Sequence, residues 1–395
     1  MIDTASWAER LGGVEFLTQT LFRSHKIVPG EADDVRDLLT WDALNQLLAS
    51  HRTAPPRLRL SQGGEPVHHH RYTQPETTRR GVAWRRLQAA SLHDRLADGA
   101  SLVVDAIDEM HPPIGAAAES LERFLCTAVQ VNAYASWTAE EGFGTHWDDH
   151  DVVVVQLYGA KRWRLYGPTR QAPAWRDTEA PAAPEGPPLV DAVLAAGDVL
   201  YLPRGWWHAV SADQGTPSLH LTFGLGTRIG ADFLNWVVDQ LRSRLSYRLD
   251  VPRFAPVKDQ AAYVAKLGRE LSALLDEPGI LGQWARSMDT THPGRHRPSL
   301  PYVTDVPANP FVTVRLTCPR ARLADGEDGT VTLAAAGTAW DFVAPVRPLL
   351  ELLVAGQPID LGDLAECSTL PLEDVAAVVS VLVKGQAAAV VGAAL

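Results

Sequence analysis

The sequence predicts an α+β chain: a small β-barrel at its centre, helical segments before and after it, and a winged-helix-like end. Three observations predict this. Short β-branched or alternating runs, broken by Gly and Pro turns, crowd between about residues 127 and 223. Apolar residues at helical spacing flank that stretch on both sides. The chain has 395 residues, enough for two or three domains with cores of their own.

The first ~60 residues read as mostly helical, with Phe16, Leu17, Leu21 and Phe22, then Leu38, Leu39, Leu44, Leu47 and Leu48, at helical intervals. From Cys126 the texture changes. Thr127–Tyr134 alternates like a half-buried strand, and Asp151–Tyr158 is a β-branched run. Gly159-Ala160 turns that run into Lys161–Tyr166, so the two are expected to form a hairpin. Further strands are expected at Val199–Leu202, His208–Ser211 and Leu219–Phe223, with the Pro-rich stretch Ala172–Pro188 as a loop.

After Gly230, Asp232–Leu249 and Gln260–Leu275 return to helical spacing, and Asp289–Pro301 reads as a polar linker. The last ~90 residues suggest strands at Phe311–Leu316 and Thr330–Leu333, then helices at Phe342–Leu353, Leu361–Cys367 and Leu372–Leu382. A closing strand, Ala387–Val391, follows. The expected divisions are 1–228, 229–305 and 306–395.

Composition narrows the function. No run of about 18 apolar residues exists, so no membrane span is expected. The polar N-terminus lacks a signal-peptide pattern, and three scattered cysteines argue against a disulfide framework, so a reducing cytoplasm is expected. A net charge of −11 argues against direct nucleic-acid binding and suits a basic polypeptide partner. The winged-helix-like end is acidic too: residues 336–395 hold seven acidic and two basic residues.

Two motifs carry chemistry. His146-Trp147-Asp148 puts an imidazole and a carboxylate on one side of an extended segment, because residues i and i+2 share a strand face. Gly197-Asp198-x4-Pro203-x-Gly205-x2-His208 supplies a second imidazole, with Gly205 letting the chain turn into its strand. Two histidines and one carboxylate form a facial triad that suits Fe(II) and leaves positions open for substrate and oxygen. The competing reading is a barrel whose histidines only pack.

Around these motifs residues ~100–225 resemble the JmjC/cupin oxygenases, with the ribosomal oxygenase group the best match. The matching segments are Val131–Tyr134, Gly142–Asp151, Val155–Arg164, Gly197–His208 and Ser218–Thr222. The resemblance implies a double-stranded β-helix (jelly-roll) barrel, a helical dimerisation region, a C-terminal winged helix, and a homodimer. It implies hydroxylation that uses Fe(II), 2-oxoglutarate and O2, with His146, Asp148 and His208 as iron ligands and Lys161 pairing with the far carboxylate of 2-oxoglutarate. Asn132 and Tyr134 match positions that line the cosubstrate pocket, and Thr222 is a further candidate. Where related enzymes carry a serine two residues beyond Thr222, this chain has Gly224.

The implied substrate is a protein side chain, with a basic ribosomal protein as the leading candidate. A tailoring hydroxylase of a peptide or small molecule, and a non-catalytic metal-binding cupin module, stay open. His150 is expected to support the site from behind or to turn out at a bend. His68-His69-His70 reads as an exposed loop, since three adjacent histidines are not expected to face one ion. Arg79, Arg80, Arg85 and Arg86 around Trp84 read as a solvated basic face.

Overall fold

The computed structural model describes residues 4–174, 182–213, 216–295, 297–326 and 328–393. Its contacts divide the chain between Thr227 and Arg228, and each part has its own core. The middle of the Pro-rich loop, 175–181, lies outside the described residues, as does position 296 in the linker.

The first unit contains β1 (Lys26–Val28), β2 (Leu58–Gln62), β3 (Glu65–Val67), β4 (Thr73–Thr77), β5 (Ala83–Leu87), β6 (Ser101–Val104) and β7 (Val129–Ser136). These are followed by β8 (Val152–Tyr158), β9 (Ala160–Pro168), β10 (Val190–Ala195), β11 (Val199–Leu202), β12 (Trp206–Ala212) and β13 (Ser218–Leu225). One sheet runs β1-β11-β8-β13-β7-β6-β2-β3 and another β10-β9-β12. A bridge between His146 and His208 adds a further segment to the second sheet. From β7 to β13 the chain crosses repeatedly between these two sheets, which makes a double-stranded β-helix.

The β-branched run of β8 follows from its place. Val153, Val155 and Leu157 pack outward into the main core, while Val152 and Val154 pack inward against Trp163, Leu165 and Leu200. A strand buried on both faces has no reason to alternate with polar residues. β7 and β13 do alternate. Val131, Ala133, Leu221 and Phe223 face the main core, and Tyr134, Ser136, His220 and Thr222 take the other face. Helices Thr4–Leu11, Trp41–Ser50 and Pro112–Leu125 cover the outer face. Trp7 is fully buried, edge-on to Phe223 at 5.4 Å, and its indole N–H donates to the Ala117 carbonyl at 3.0 Å.

Two expectations for this unit need correction. The first ~60 residues are not all helical: β1 pairs with β11, and Leu38 and Leu39 are buried in a turn. The expected hairpin across Gly159 does not form. β8 pairs with β11 and β13, whereas β9 pairs with β10 and β12 in the other sheet. Gly159 sits at φ +66°, and a Cβ there would lie 2.1 Å from the Pro217 carbonyl oxygen. Glycine supplies positive φ in hairpin turns and sheet crossings alike, so sequence cannot tell them apart.

In the second unit, helices Gly230–Leu241, Val257–Leu275 and Ile280–Thr291 share a small core around Val237, Leu241, Leu274 and Ile280. The last of these helices was not expected. The remainder contains β14 (Val312–Leu316), β15 (Arg322–Asp325), β16 (Thr330–Ala335), β17 (Thr338–Val343), β18 (Ile359–Asp360) and β19 (Ala388–Ala393). Helices Arg347–Val354, Leu361–Ser368 and Leu372–Lys384 pack with the sheet β18-β14-β19.

The expected helix from Phe342 begins later, because Phe342 pairs with Val331 in the β16–β17 hairpin. The expected division between 229–305 and 306–395 falls inside the second compact unit. Asp289, buried on the helix Ile280–Thr291, accepts from Arg320 at 2.9 Å and Arg322 at 2.7 Å, joining both segments into one unit. Among the described residues, no helix is long and apolar enough to cross a membrane.

Gly159→Ala should lower stability by more than 1–2 kcal/mol, about the cost of a left-handed non-glycine residue, because the Pro217 clash adds to it. Gly63→Ala, at φ +59° with nothing within 4 Å, should cost only the conformational part. Denaturant unfolding of both variants checks this; equal losses would refute a tight crossing at Gly159.

Candidate metal centre and its pocket

His146 and Asp148 lie on an extended segment, not a full strand. The His146 amide donates to the His208 carbonyl at 3.0 Å, and the His208 amide donates back at 2.8 Å. Two residues on, the Gly205 amide donates to the Asp148 carbonyl at 2.8 Å. Gly205 is at φ +78°, and a Cβ there would meet Pro173 at 2.4 Å. These contacts bring the two motifs together across roughly 60 residues of chain.

One ligand atom from each of His146, Asp148 and His208 falls within 4.8 Å of the others. Nε2 of His208 is 3.8 Å from Oδ2 of Asp148, and the two imidazole centroids are 4.3 Å apart. Nδ1 of His146 lies 3.1 Å from the Gly144 carbonyl, and Nδ1 of His208 lies 2.9 Å from the Trp206 carbonyl. A carbonyl oxygen only accepts, so each Nδ1 carries the proton and each Nε2 is left bare as a ligand. Burial pushes His208 down to about 4, which keeps it neutral near pH 7, the form a metal binds.

A cavity of about 180 Å³ opens on these three side chains, with Lys161, Tyr134, Thr222, Trp163, His220 and Arg59 in its walls. Lys161 is 4% exposed, and its ammonium donates to Ser136 Oγ at 2.8 Å. The crossing at Gly159 is what brings it here: β9 points Lys161 across the barrel at Ser136 on β7. Burial lowers Lys161 to about 7.

Beside it His220 stacks on Tyr134 at 5.0 Å, and burial next to Lys161 holds its imidazole neutral. Nδ1 of His220 and Nε1 of Trp163 are buried without a hydrogen-bond partner. Burial, reinforced by the Asp148 carboxylate, pushes Tyr134 up to about 12, so its hydroxyl keeps its proton.

Asn132 departs from expectation. It shares a strand face with Tyr134 but does not line the cavity; its Oδ1 accepts from the Ala106 amide at 3.0 Å and from Gln130 Nε2 at 3.2 Å. The left-handed turn at Ala106, φ +50°, covers that end of β7. At Gly224, the His150 ring lies 3.1 Å from where a Cβ would stand, so His150 takes up a side chain's space on the strand face that Thr222 and His220 share.

Asp151 is 2% exposed and accepts from the Tyr201 hydroxyl at 2.9 Å and the Arg204 amide at 2.8 Å, which ties the second motif to the first. The imidazoles of His68, His69 and His70 stack at 4.3–4.6 Å and offer nitrogens within 4.8 Å of one another. Adjacency alone therefore does not keep them from one ion, although the Arg85 guanidinium, 3.0 Å from His70 Nδ1, opposes a cation there.

Sequence reading missed Arg59, Ser136, Trp163 and His220. Trp163 and His220 could have been found, because each lies two residues from a named candidate on the same strand face. Arg59 could not: it reaches the cavity from β2 and forms a bidentate pair with Asp105 at 2.8 and 3.2 Å.

Residues 110–233 match the JmjC domain family. A Drosophila persimilis protein described as bifunctional lysine-specific demethylase and histidyl-hydroxylase NO66 is 38% identical over 102 residues, covering 26% of this chain and 15% of its own length. Gallus gallus ribosomal oxygenase 1 is 35% identical over 131 residues, 31% of this chain and 22% of its own. The chain thus matches less than a quarter of either relative. In fold it is similar to YcfD, a ribosomal oxygenase from Escherichia coli, with a TM-score of 0.61 at 18% identity over 96% of this chain and 97% of that one. It is equally similar to the same protein in complex with cobalt and 2-oxoglutarate, at TM-score 0.60, 18% identity and coverage of 96% and 98%.

Lys161 titrates near 7 when folded and near its ordinary value of 10.5 when unfolded. Between those values the unfolded chain holds a proton the folded chain has released, so stability rises with pH there; the penalty is full below 7 and absent above 10.5. Lys161→Met should therefore stabilise the metal-free protein at pH 6, with the gain shrinking steadily toward pH 10. A gain independent of pH would mean that Lys161 is not a buried titrating group.

Proposed function

We propose that this protein is an Fe(II)- and 2-oxoglutarate-dependent oxygenase that hydroxylates a protein side chain. The single observation that carries the reading is the convergence of His146, Asp148 and His208 on a cavity whose wall also holds buried Lys161. The donor set fits Fe(II): two bare imidazole nitrogens and a carboxylate, with no further histidine, cysteine or carboxylate grouped with them among the described residues.

The cavity fits a dicarboxylate as well. A buried ammonium that donates to a neutral hydroxyl calls for an anion, and Trp163 Nε1 and His220 Nδ1 are buried polar atoms without partners beside it. A non-catalytic module gives these groups no purpose.

His146, Asp148 and His208 would hold the iron, and Lys161 would hold the far carboxylate of 2-oxoglutarate with Thr222 and Tyr134 alongside. Bound together, iron and 2-oxoglutarate supply oxidative decarboxylation with O2, giving succinate, carbon dioxide and an oxygen atom for a C–H bond. The chain's own part is to orient and to exclude water. The Gly144 and Trp206 carbonyls fix both imidazole rings. Tyr134 stays protonated next to Asp148, so its hydroxyl can donate. Pairing with an anion would hold Lys161 charged.

The relatives' descriptions as ribosomal oxygenases support a ribosomal protein as substrate, and the net charge of −11 suits a basic one. Three free cysteines suit a reducing cytoplasm. The exposed apolar residues Leu234, Val238, Leu245, Leu249, Phe254 and Val264 support a homodimer through the helical segment, which light scattering would reveal.

Purified protein supplied with Fe(II), 2-oxoglutarate and ribosomal proteins of its host should form succinate and make one of those proteins heavier by an oxygen atom. His146→Ala or Asp148→Ala should abolish iron-dependent succinate formation, and full activity in either would overturn the triad. Lys161→Ala should raise the 2-oxoglutarate requirement roughly tenfold or more, since stranding a buried charged partner costs about 1–3 kcal/mol. An unchanged requirement would remove Lys161 from the cosubstrate site.

A further inference from the structure

The chain's acidity is not evenly spread. Residues 51–95 carry nine arginines against three carboxylates, +6 within a chain of −11. Arg57, Arg59, Arg86 and Arg95 pair with Glu109, Asp105, Glu76 and Asp98. Among the described residues, no carboxylate lies within ion-pair distance of Arg52, Arg71, Arg79, Arg80 or Arg85.

The fold gathers several of these arginines around one cleft of about 570 Å³, walled by helix Trp41–Ser50, helix Ala89–Ala97 and the β4–β5 ribbon. Arg52, Arg85, Arg86, Trp84 and Thr53 line it, and Glu76, already bound to Arg86, is the one carboxylate among its lining residues. Arg52 sits 4.3 Å over the Trp84 ring. Thr53 is 3% exposed, and its hydroxyl is buried with no hydrogen-bond partner. Arg79 and Arg80 extend the positive track to the exposed tip of the ribbon.

We propose that this cleft and ribbon bind single-stranded RNA, with phosphates along the arginines and a base against Trp84. Arginines strung from the cleft to the ribbon tip suit a chain of phosphates better than one anion. An indole in the cleft wall gives a flat, sequence-tolerant surface for an unstacked base, and guanidinium planes stack in the same way. A duplex keeps its bases stacked inside and gains nothing from Trp84. Net charge, which argues against phosphate binding, averages over this segregation. The inference uses no residue of the metal centre and does not rest on the oxygenase reading.

The test is fluorescence anisotropy of a labelled oligouridylate with the full chain, without iron or 2-oxoglutarate, at several salt concentrations. Binding that weakens steeply with salt is expected. Arg79→Glu with Arg80→Glu, at an exposed tip where misfolding is not at issue, should weaken it roughly tenfold or more and flatten the salt dependence. Trp84→Ala should weaken it roughly tenfold while leaving the salt slope in place.

No binding at low salt, or binding indifferent to the charge reversal, overturns the proposal. So does displacement by inorganic phosphate or uridine monophosphate as effective as by the oligomer, which would mean a single-anion site. Equal binding of polyglutamate with no effect of Trp84→Ala also overturns it, in favour of an acidic peptide.

Discussion

The reciprocal amide–carbonyl pair between His146 and His208 is the contact on which the centre depends, because it joins the two histidine-bearing segments directly at the histidines. His208 lies on β12, which β9 already holds, whereas the His146 segment after β7 is no strand of its own and takes its place from this bridge. The pair fixes their register, Gly205 bonding to the Asp148 carbonyl extends it, and buried Asp151 pins Arg204 from behind. Moving the register by one residue would turn His208 out of the barrel and Trp207 in, since strand faces alternate. The second motif is therefore as much scaffold as ligand. Asp198 accepts from the Gly30 and Ala195 amides and touches no metal ligand.

Electrostatics follow from the same barrel. Its interior is dry enough to keep His208 and His220 neutral and to depress Lys161. A neutral imidazole suits a metal, whereas a buried ammonium opposes folding. Ser136 fixes the direction of the Lys161 ammonium, which points into the cavity wall beside His220. The cost of burying Lys161 therefore sits one strand away from His208.

How legible each part was depended on whether the signal was local. The strands of the barrel came out near their true limits, because β7 and β13 alternate and β8 is an unbroken β-branched run. That His146 and Asp148 point the same way was legible because their spacing encodes extended geometry. Lys161 is reached through family resemblance alone, and the strand that carries it belongs to the other sheet, not to a hairpin with β8. Resemblance puts Asn132 with Tyr134 at the cosubstrate pocket, and it shares that strand face, but its Oδ1 is taken up by the amide of the turn at Ala106. Phe342 was read as helical because apolar spacing at the end of a strand merges with that of the next helix.

By itself, then, the sequence determined the face alternation of β7 and β13, and with it that His146 and Asp148 share a side, because alternation and turn chemistry act between near neighbours. Only the tertiary structure decided that Gly159 is a crossing between sheets, that Arg59 reaches the cavity from outside the barrel, that Gly224 is filled by His150, and that arginines from separate segments share one cleft. Each of these depends on pairing across many tens of residues, where the outcome rests on which strands meet and not on any local preference.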